Sequence, residues 1–264
     1  MNKFLYAVLI AILLSSCSEY QRALKSEDVA LKFKAATAKY DKQKYNKAIR
    51  LFEQIAPAYR GKPQAESMFY MFAQSYYKTE QYYLSGYQFE SFVSSYPKSE
   101  KVEEASFLGA KSYSMLSPTY SLDQGDTTKA IDKLQTFIDI YPNSIYTPEA
   151  NVVLKKLTDK LEKKYFEIAK QYNTISDYKS ALVALDNFIA DYPGTQFKEQ
   201  ALYYRLDSAY QLAINSVPSK MEERLKNAKI AYASFTKFKE NSTYKTKADE
   251  MSAKIDKELQ QFSK

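Results

Sequence analysis

Reactive side chains are scarce in this sequence, and the scarcity narrows its chemistry. There is no His, so no His-based triad, His metal site or imidazole acid–base pair can be built. Five glycines in 264 residues form no phosphate-cradling loop. The acid pairs Glu103-Glu104 and Glu222-Glu223 fall in or near the first turns of expected helices, where acids favour the helix dipole. They read as solvated caps rather than as a glycosidase pair. Cys17 is the single thiol. The chain therefore reads as non-catalytic, with no metal ligands and no cofactor beyond what Cys17 could carry. Phenyl rings are abundant instead: 25 Tyr and 15 Phe, with no Trp. Phe33, Thr37, Tyr40, Tyr70, Gln74, Tyr77, Phe107 and Lys111 recur at helical steps, which puts them on one surface. The set is aromatic with one cation near its end, and it suits an extended, partly apolar peptide carrying a terminal carboxylate. Tyr offers a large apolar face and a hydroxyl at low entropic cost. Phe33 and Tyr70 suit a core equally well.

The elements that must position these residues are written in a repeated pattern. Five runs share steps of 4, 3 and 4: Ala48/Phe52/Ile55/Tyr59, Ser85/Phe89/Phe92/Tyr96, Ala130/Leu134/Phe137/Tyr141, Ala181/Leu185/Phe188/Tyr192 and Ala228/Tyr232/Phe235/Lys239. That spacing is one stripe of an α-helix. Three runs close on Tyr-Pro, at Tyr96-Pro97, Tyr141-Pro142 and Tyr192-Pro193. Proline cannot continue the helix, and Ser99, Ser144 and Thr195 two residues later are good caps for the next one. Weaker corners stand at 58–62 and 238–242. The pattern predicts helix pairs over about 27–62, 63–98, 99–144, 145–194 and 195–242, then a terminal helix over 243–262 with a polar outer face. Residues 114–128 read as an insertion. Thr147-Pro148-Glu149 opens a helix of about 26 residues carrying Leu154, Leu157, Leu161, Tyr165, Ile168 and Tyr172 as one stripe. The expected fold is all-α: one domain over 27–264, a tetratricopeptide-like right-handed α-α superhelix of about five helix pairs plus a capping helix. The Trp of the tetratricopeptide pattern is replaced by Phe69 and Tyr165.

The front end is of another kind. Lys3 precedes an apolar run, Phe4 to Leu14, too short to span a bilayer. Residues 1–16 read as a cleaved secretory signal. Leu14-Ser15-Ser16-Cys17 resembles the lipobox of bacterial lipoproteins. That resemblance implies a diacylglycerol on the Cys17 sulfur, cleavage before it and acylation of the new amino terminus, with 17–26 as a lipidated tether. Several acyl chains make a stable anchor where one would be marginal. Ser18 after the cysteine implies sorting to the outer membrane, and the lack of a following acidic cluster favours the periplasmic side. Nucleic acid is then excluded by compartment. Lys220 to Lys264 holds 11 Lys/Arg and 7 Asp/Glu. Lys237, Lys239, Lys245 and Lys247 are candidates for an acidic partner surface or anionic lipid; a solvated face is as good a reading.

Four stretches resemble the BamD family of outer-membrane lipoproteins: Cys17-Ser18-Glu19-Tyr20-Gln21, Leu51-Phe52-Glu53 with Tyr59-Arg60-Gly61, Leu116-Ser117-Pro118 with Tyr120-Ser121-Leu122-Asp123-Gln124, and Asp159-Lys160-Leu161-Glu162-Lys163-Lys164. The resemblance implies a scaffold of the β-barrel assembly machinery. Its partners would be unfolded barrel precursors, the barrel-bearing (BamA-like) insertase subunit and other machinery subunits, with the insertase on repeats four and five. Helical repeats alone also allow a periplasmic adaptor for pilus assembly or cell division. A carbohydrate-binding lipoprotein is disfavoured by the lack of Trp.

Overall fold

The computed structural model describes residues 19–262, all of whose regular structure is helical. Helix α1 covers residues 19–25. It is followed by α2 (Val29–Asp41), α3 (Tyr45–Tyr59), α4 (Ala65–Lys78), α5 (Tyr82–Ser95), α6 (Val102–Ser114), α7 (Gly125–Ile140), α8 (Thr147–Thr174), α9 (Tyr178–Asp191), α10 (Lys198–Ile214), α11 (Pro218–Phe238) and α12 (Lys245–Leu259), with a 3-10 turn at Gln260–Phe262. Cys17 and the signal segment lie outside the described residues. Two compact units are formed. One holds the residues up to Pro118 with Gln124–Leu157; the other holds Thr119–Asp123 with the residues from Thr158 on.

In the first unit α2 packs on α3, α4 on α5 and α6 on α7, and each pair packs on the next. The stripe positions make this possible. Ala48, Ser85 and Ala130 are fully buried, so neighbouring backbones approach closely, and Phe52, Phe89, Phe92 and Phe137 fill the space beyond them. Burying each such ring contributes about 1.5–3 kcal/mol. Between α5 and α6 the approach is close. Ser85 Oγ meets Ser112 Oγ at 2.9 Å in the interior, and a Cβ on Gly86 would lie 2.9 Å from the Tyr113 ring. The second unit repeats the scheme. Ala181, Leu185 and Phe188 of α9 pack on Phe166 and Ala169 of α8, while Leu225, Ala228 and Phe235 of α11 join Leu206 and Ala213 of α10 with Ile255 of α12.

The corners have one construction. Tyr96, Tyr141 and Tyr192 end their helices, each donating its backbone N–H to the carbonyl of the Phe four residues back. The same Phe and Tyr rings lie 5.3, 5.4 and 5.4 Å apart. The Ser two residues after each proline is not the N-cap residue itself. Ser99 accepts from the Lys101 amide at 3.0 Å and donates to Glu66 of the preceding repeat at 2.6 Å. Ser144 does the same with Tyr146 and Glu103, and Ser242 with Tyr244 and Glu199. A buried hydroxyl thus clasps two successive repeats. Thr195 bonds only the Phe197 amide, at 3.2 Å; in its repeat Pro148 stands where the others have glutamate.

Several expectations are corrected. Residues 19–25, read as tether, are helical, with Tyr20 and Ala23 buried in the first core. Asp28 caps α2, accepting from Ala30 and Leu31 amides at 2.8 and 3.1 Å. Helix α7 starts at Gly125 rather than near Thr128, because Thr127 is held inside by Gln124 at 2.8 Å and Ser117 at 2.6 Å. Helix α8 runs for 28 residues. Its expected stripe does not stay inward: Phe166 and Ala169 are buried, while Tyr165, Ile168 and Tyr172 are 46%, 46% and 37% exposed. Glu103 is a half-buried acceptor for Ser144, not a solvated cap.

Candidate functional site

Helices α2, α4 and α6, the first members of successive pairs, touch in sequence order in the first unit. The expected surface residues lie on them, most as half-buried side chains. Tyr40 leaves the last turn of α2 and meets Tyr45 edge-on, ring centroids 5.6 Å apart at 73°. Tyr77 of α4 meets Tyr82 in nearly the same way, 5.9 Å at 71°. Tyr70 lies two turns earlier on α4. Its ring edges onto Phe92 at 5.6 Å and Phe89 at 6.2 Å, and its hydroxyl accepts from Gln74 Nε2 at 2.8 Å. Tyr40, Tyr70, Gln74 and Tyr77 are all half-buried. Each therefore keeps one side on the core and offers the other outward.

The electrostatics come from Glu104, which the sequence offered only as a helix cap, and from Lys101. Burial, then a hydrogen bond to Glu104, raises the Tyr70 hydroxyl well above the usual phenol range. Burial, then Tyr45 and Glu104, raises that of Tyr40. Glu104 also pairs with Lys101 at 3.1 Å, whose ammonium stands 5.5 Å from the Tyr70 ring centroid. Both hydroxyls stay protonated at neutral pH and remain able to donate.

The remaining expected members separate. Phe107 is buried, between Tyr146 at 5.0 Å and 14° and Phe137 at 5.5 Å; it is core and presents no binding surface. Phe33 is half-buried, its ring 4.9 Å from Tyr59. Thr37 has a buried hydroxyl without a hydrogen-bond partner. Lys111 is not a waiting cation, since its Nζ lies 2.6 Å from Glu149 Oε1. Burial works against its charge, but the Glu149 bond and the nearby Tyr77 outweigh that and raise its pKa. A peptide carboxylate reaching Lys111 must exchange with Glu149. The sequence signal for Glu149 was its place in a first helical turn, which says nothing of a lysine 38 residues earlier.

The four carboxy-terminal lysines also divide. Lys239 binds Glu199 at 2.5 Å, and Lys245 binds Asp249 at 3.2 Å. Lys237 and Lys247 are exposed. In the same unit Tyr165, Ile168 and Tyr172 of α8, with Val183 of α9 at 62% exposure, form an apolar strip on the surface. Among the described residues no group of His, Cys, Asp or Glu could hold a metal ion, and no helix is long and apolar enough to cross a membrane.

Comparison with known proteins gives the chain a family. A family model described as "YfiO: Outer membrane lipoprotein" matches residues 26–176, more than half of the chain. The "Outer membrane protein assembly factor BamD" of Caulobacter vibrioides is 21% identical over 79% of this chain and 70% of its own length. The proteins of the same name from Pasteurella multocida and Haemophilus influenzae are 19% and 21% identical over 83% and 79% of this chain, and over 88% and 83% of their own. A crystal structure of TPR-like repeats from Podosopora anserina covers 82% of this chain and 98% of its own at 15% identity, with a TM-score of 0.33 that carries no argument. The helix pairs, the corner pattern and the family match agree: this chain belongs to the YfiO family of outer membrane lipoproteins.

Proposed function

We propose that this chain is a lipid-anchored scaffold of the machinery that assembles β-barrel proteins in the outer membrane. It faces the periplasm, with Cys17 as the lipid site. It binds unfolded barrel precursors through its first unit and the barrel-bearing insertase subunit through its second. The family match carries this reading, since helix pairs alone say only that a protein binds a protein. The half-buried tyrosines supply a means for the first contact. Tyr40, Tyr70 and Tyr77 offer ring faces to apolar side chains, while Gln74 and the hydroxyls offer donors to an extended backbone. The apolar strip of α8 and α9, with Lys237 and Lys247 exposed in the same unit, supplies a means for the second. Tyr40→Ala, Tyr70→Ala and Tyr77→Ala combined should weaken binding of a peptide from a barrel precursor's final strand by roughly 10- to 1,000-fold, at about 0.5–1.5 kcal/mol per aromatic contact. Binding of the insertase's periplasmic domains should be unchanged. Loss of both would make the tyrosines structural, and loss of neither would put the precursor elsewhere.

A further inference from the structure

The net charge of the folded chain is gathered at its amino-terminal end. Residues 19–62 hold 11 Lys/Arg against 5 Asp/Glu, whereas residues 63–264 hold 26 of each. The structure brings four of these lysines together. The ammonium groups of Lys39 and Lys47 stand over one ring, that of Tyr20 in α1, at 5.6 and 5.2 Å from its centroid. Lys42 and Lys44 lie in the turn between α2 and α3, exposed. Lys44 and Lys47 also line, with Lys78 of α4, an open cleft of about 520 Å³ at the same end of the helix pairs. After burial, the repulsion of Lys44, Lys47 and Lys42 holds the Lys39 pKa below its ordinary range, with only Glu19 opposing. Among the described residues no Lys or Arg of 19–62 forms an ion pair. Elsewhere lysines such as Lys101, Lys111, Lys229 and Lys239 pair with acids; here they crowd.

The position of the cluster gives it a counterpart. Helix α1 is pinned into the core by Tyr20 and Ala23. Cys17 is two residues before Glu19, so the two are at most about 7 Å apart along the chain. Tyr20 is three residues from Cys17, so an acylated Cys17 holds the Tyr20 ring and the two ammonium groups above it within about 20 Å of a lipid surface, about two Debye lengths. We propose that the lysine cluster of α1, α2 and α3 is a membrane-surface site that takes anionic lipid headgroups, seating the first unit on the leaflet that holds its anchor. This rests on the lipid-anchor reading for its orientation, but the affinity for headgroups belongs to the lysines alone.

The test uses the mature chain with Cys17→Ser, which has no acyl group to confuse the result. Co-sedimentation is measured with vesicles of phosphatidylglycerol and phosphatidylethanolamine, and with vesicles of phosphatidylcholine. Binding is expected on the first and not the second, and is expected to vanish as NaCl is raised to about 0.5 M. Lys42→Gln, Lys44→Gln and Lys47→Gln combined should lower partitioning about 100-fold, at about fivefold for each lysine near an anionic surface. Lys237→Gln with Lys247→Gln should leave it within twofold. Equal binding to phosphatidylcholine, insensitivity to salt, or loss through the carboxy-terminal pair instead would overturn the proposal. The lipid and salt arms need no lysine variant, so a folding defect in the triple variant does not blunt the test. Failure of the anchor itself would appear separately, as a missing acyl mass on the wild-type protein.

Discussion

Gly86→Ala sets two effects of opposite sign against each other. In an exposed helix the change stabilises by about 0.8–1 kcal/mol, because glycine is the poorer helix former. Gly86 is buried on α5, and its new Cβ would lie 2.9 Å from Cε2 and Cζ of Tyr113 on α6. Ordinary carbon contacts need about 3.5–4.0 Å, so the ring must retreat by more than half an ångström. It has little room to do so. Tyr113 is 3% exposed, its hydroxyl donates to Glu90 at 3.0 Å, and the Lys129 ammonium sits 3.9 Å from its centroid. Overpacking of this kind costs about 1–3 kcal/mol. With the ring held on three sides the cost falls in the upper half of that range, about 2–3 kcal/mol, and net of the helix gain Gly86→Ala should destabilise the first unit by roughly 1–2 kcal/mol. Thermal unfolding followed by circular dichroism should show a midpoint lowered by about 2–4 °C for each kcal/mol. Gly194→Ala, where a Cβ meets nothing within 4 Å, is the control and should not fall. A Gly86→Ala protein as stable as wild type or more so would mean that α5 and α6 do not approach as described.

Other residues give sharper but smaller effects. Ser144→Ala removes both the bond to Glu103 and the acceptor for the Tyr146 amide, and should cost about 1–2 kcal/mol in urea unfolding; Thr195→Ala, lacking a glutamate partner, should cost less than half of that. Lys239, then Ser242, hold the Glu199 carboxyl below the usual range. The stability this contributes is present above the unfolded value of about 4.3 and is lost as pH falls through the folded pKa. The midpoint gap between wild type and Glu199→Gln should therefore close as the medium is acidified past that value. Glu149→Gln releases Lys111 from its carboxylate, and should strengthen binding of a precursor peptide bearing a free terminal carboxylate while leaving its amide unchanged; equal effects on both would remove Lys111 from the site.

The helix pairs were legible because each rests on a local rule repeated five times. In three of the five runs a Phe seven residues after a small residue is followed by Tyr and Pro, which permits one helical face and one stopping point, and Phe92, Phe137 and Phe188 are buried accordingly. Local rules fail where two patterns overlap. On α8, Tyr165/Ile168/Tyr172 and Phe166/Ala169 are stripes one residue apart, and only the packing of α9 decides that the second faces inward. They fail again where glycine is expected and absent: Gln43, Glu80 and Ser176 take positive φ of 55°, 60° and 64° at the turns within pairs. The candidate surface was half legible. Helical steps found Tyr40, Tyr70, Gln74 and Tyr77, but the partner of Lys111 and the burial of Phe107 depend on contacts 30 to 40 residues apart in the chain.

A photo-crosslinking residue in place of Tyr77, whose ring is half-exposed on α4, puts the central claim to the most direct test. After irradiation of cells, the outer membrane is solubilised and the crosslinked partners are identified by mass. The account predicts unfolded β-barrel precursors at Tyr77, and the insertase subunit when the same probe replaces the exposed Ile168. Recovery of pilus or cell-division proteins at both positions, with neither barrel precursors nor insertase, would contradict it.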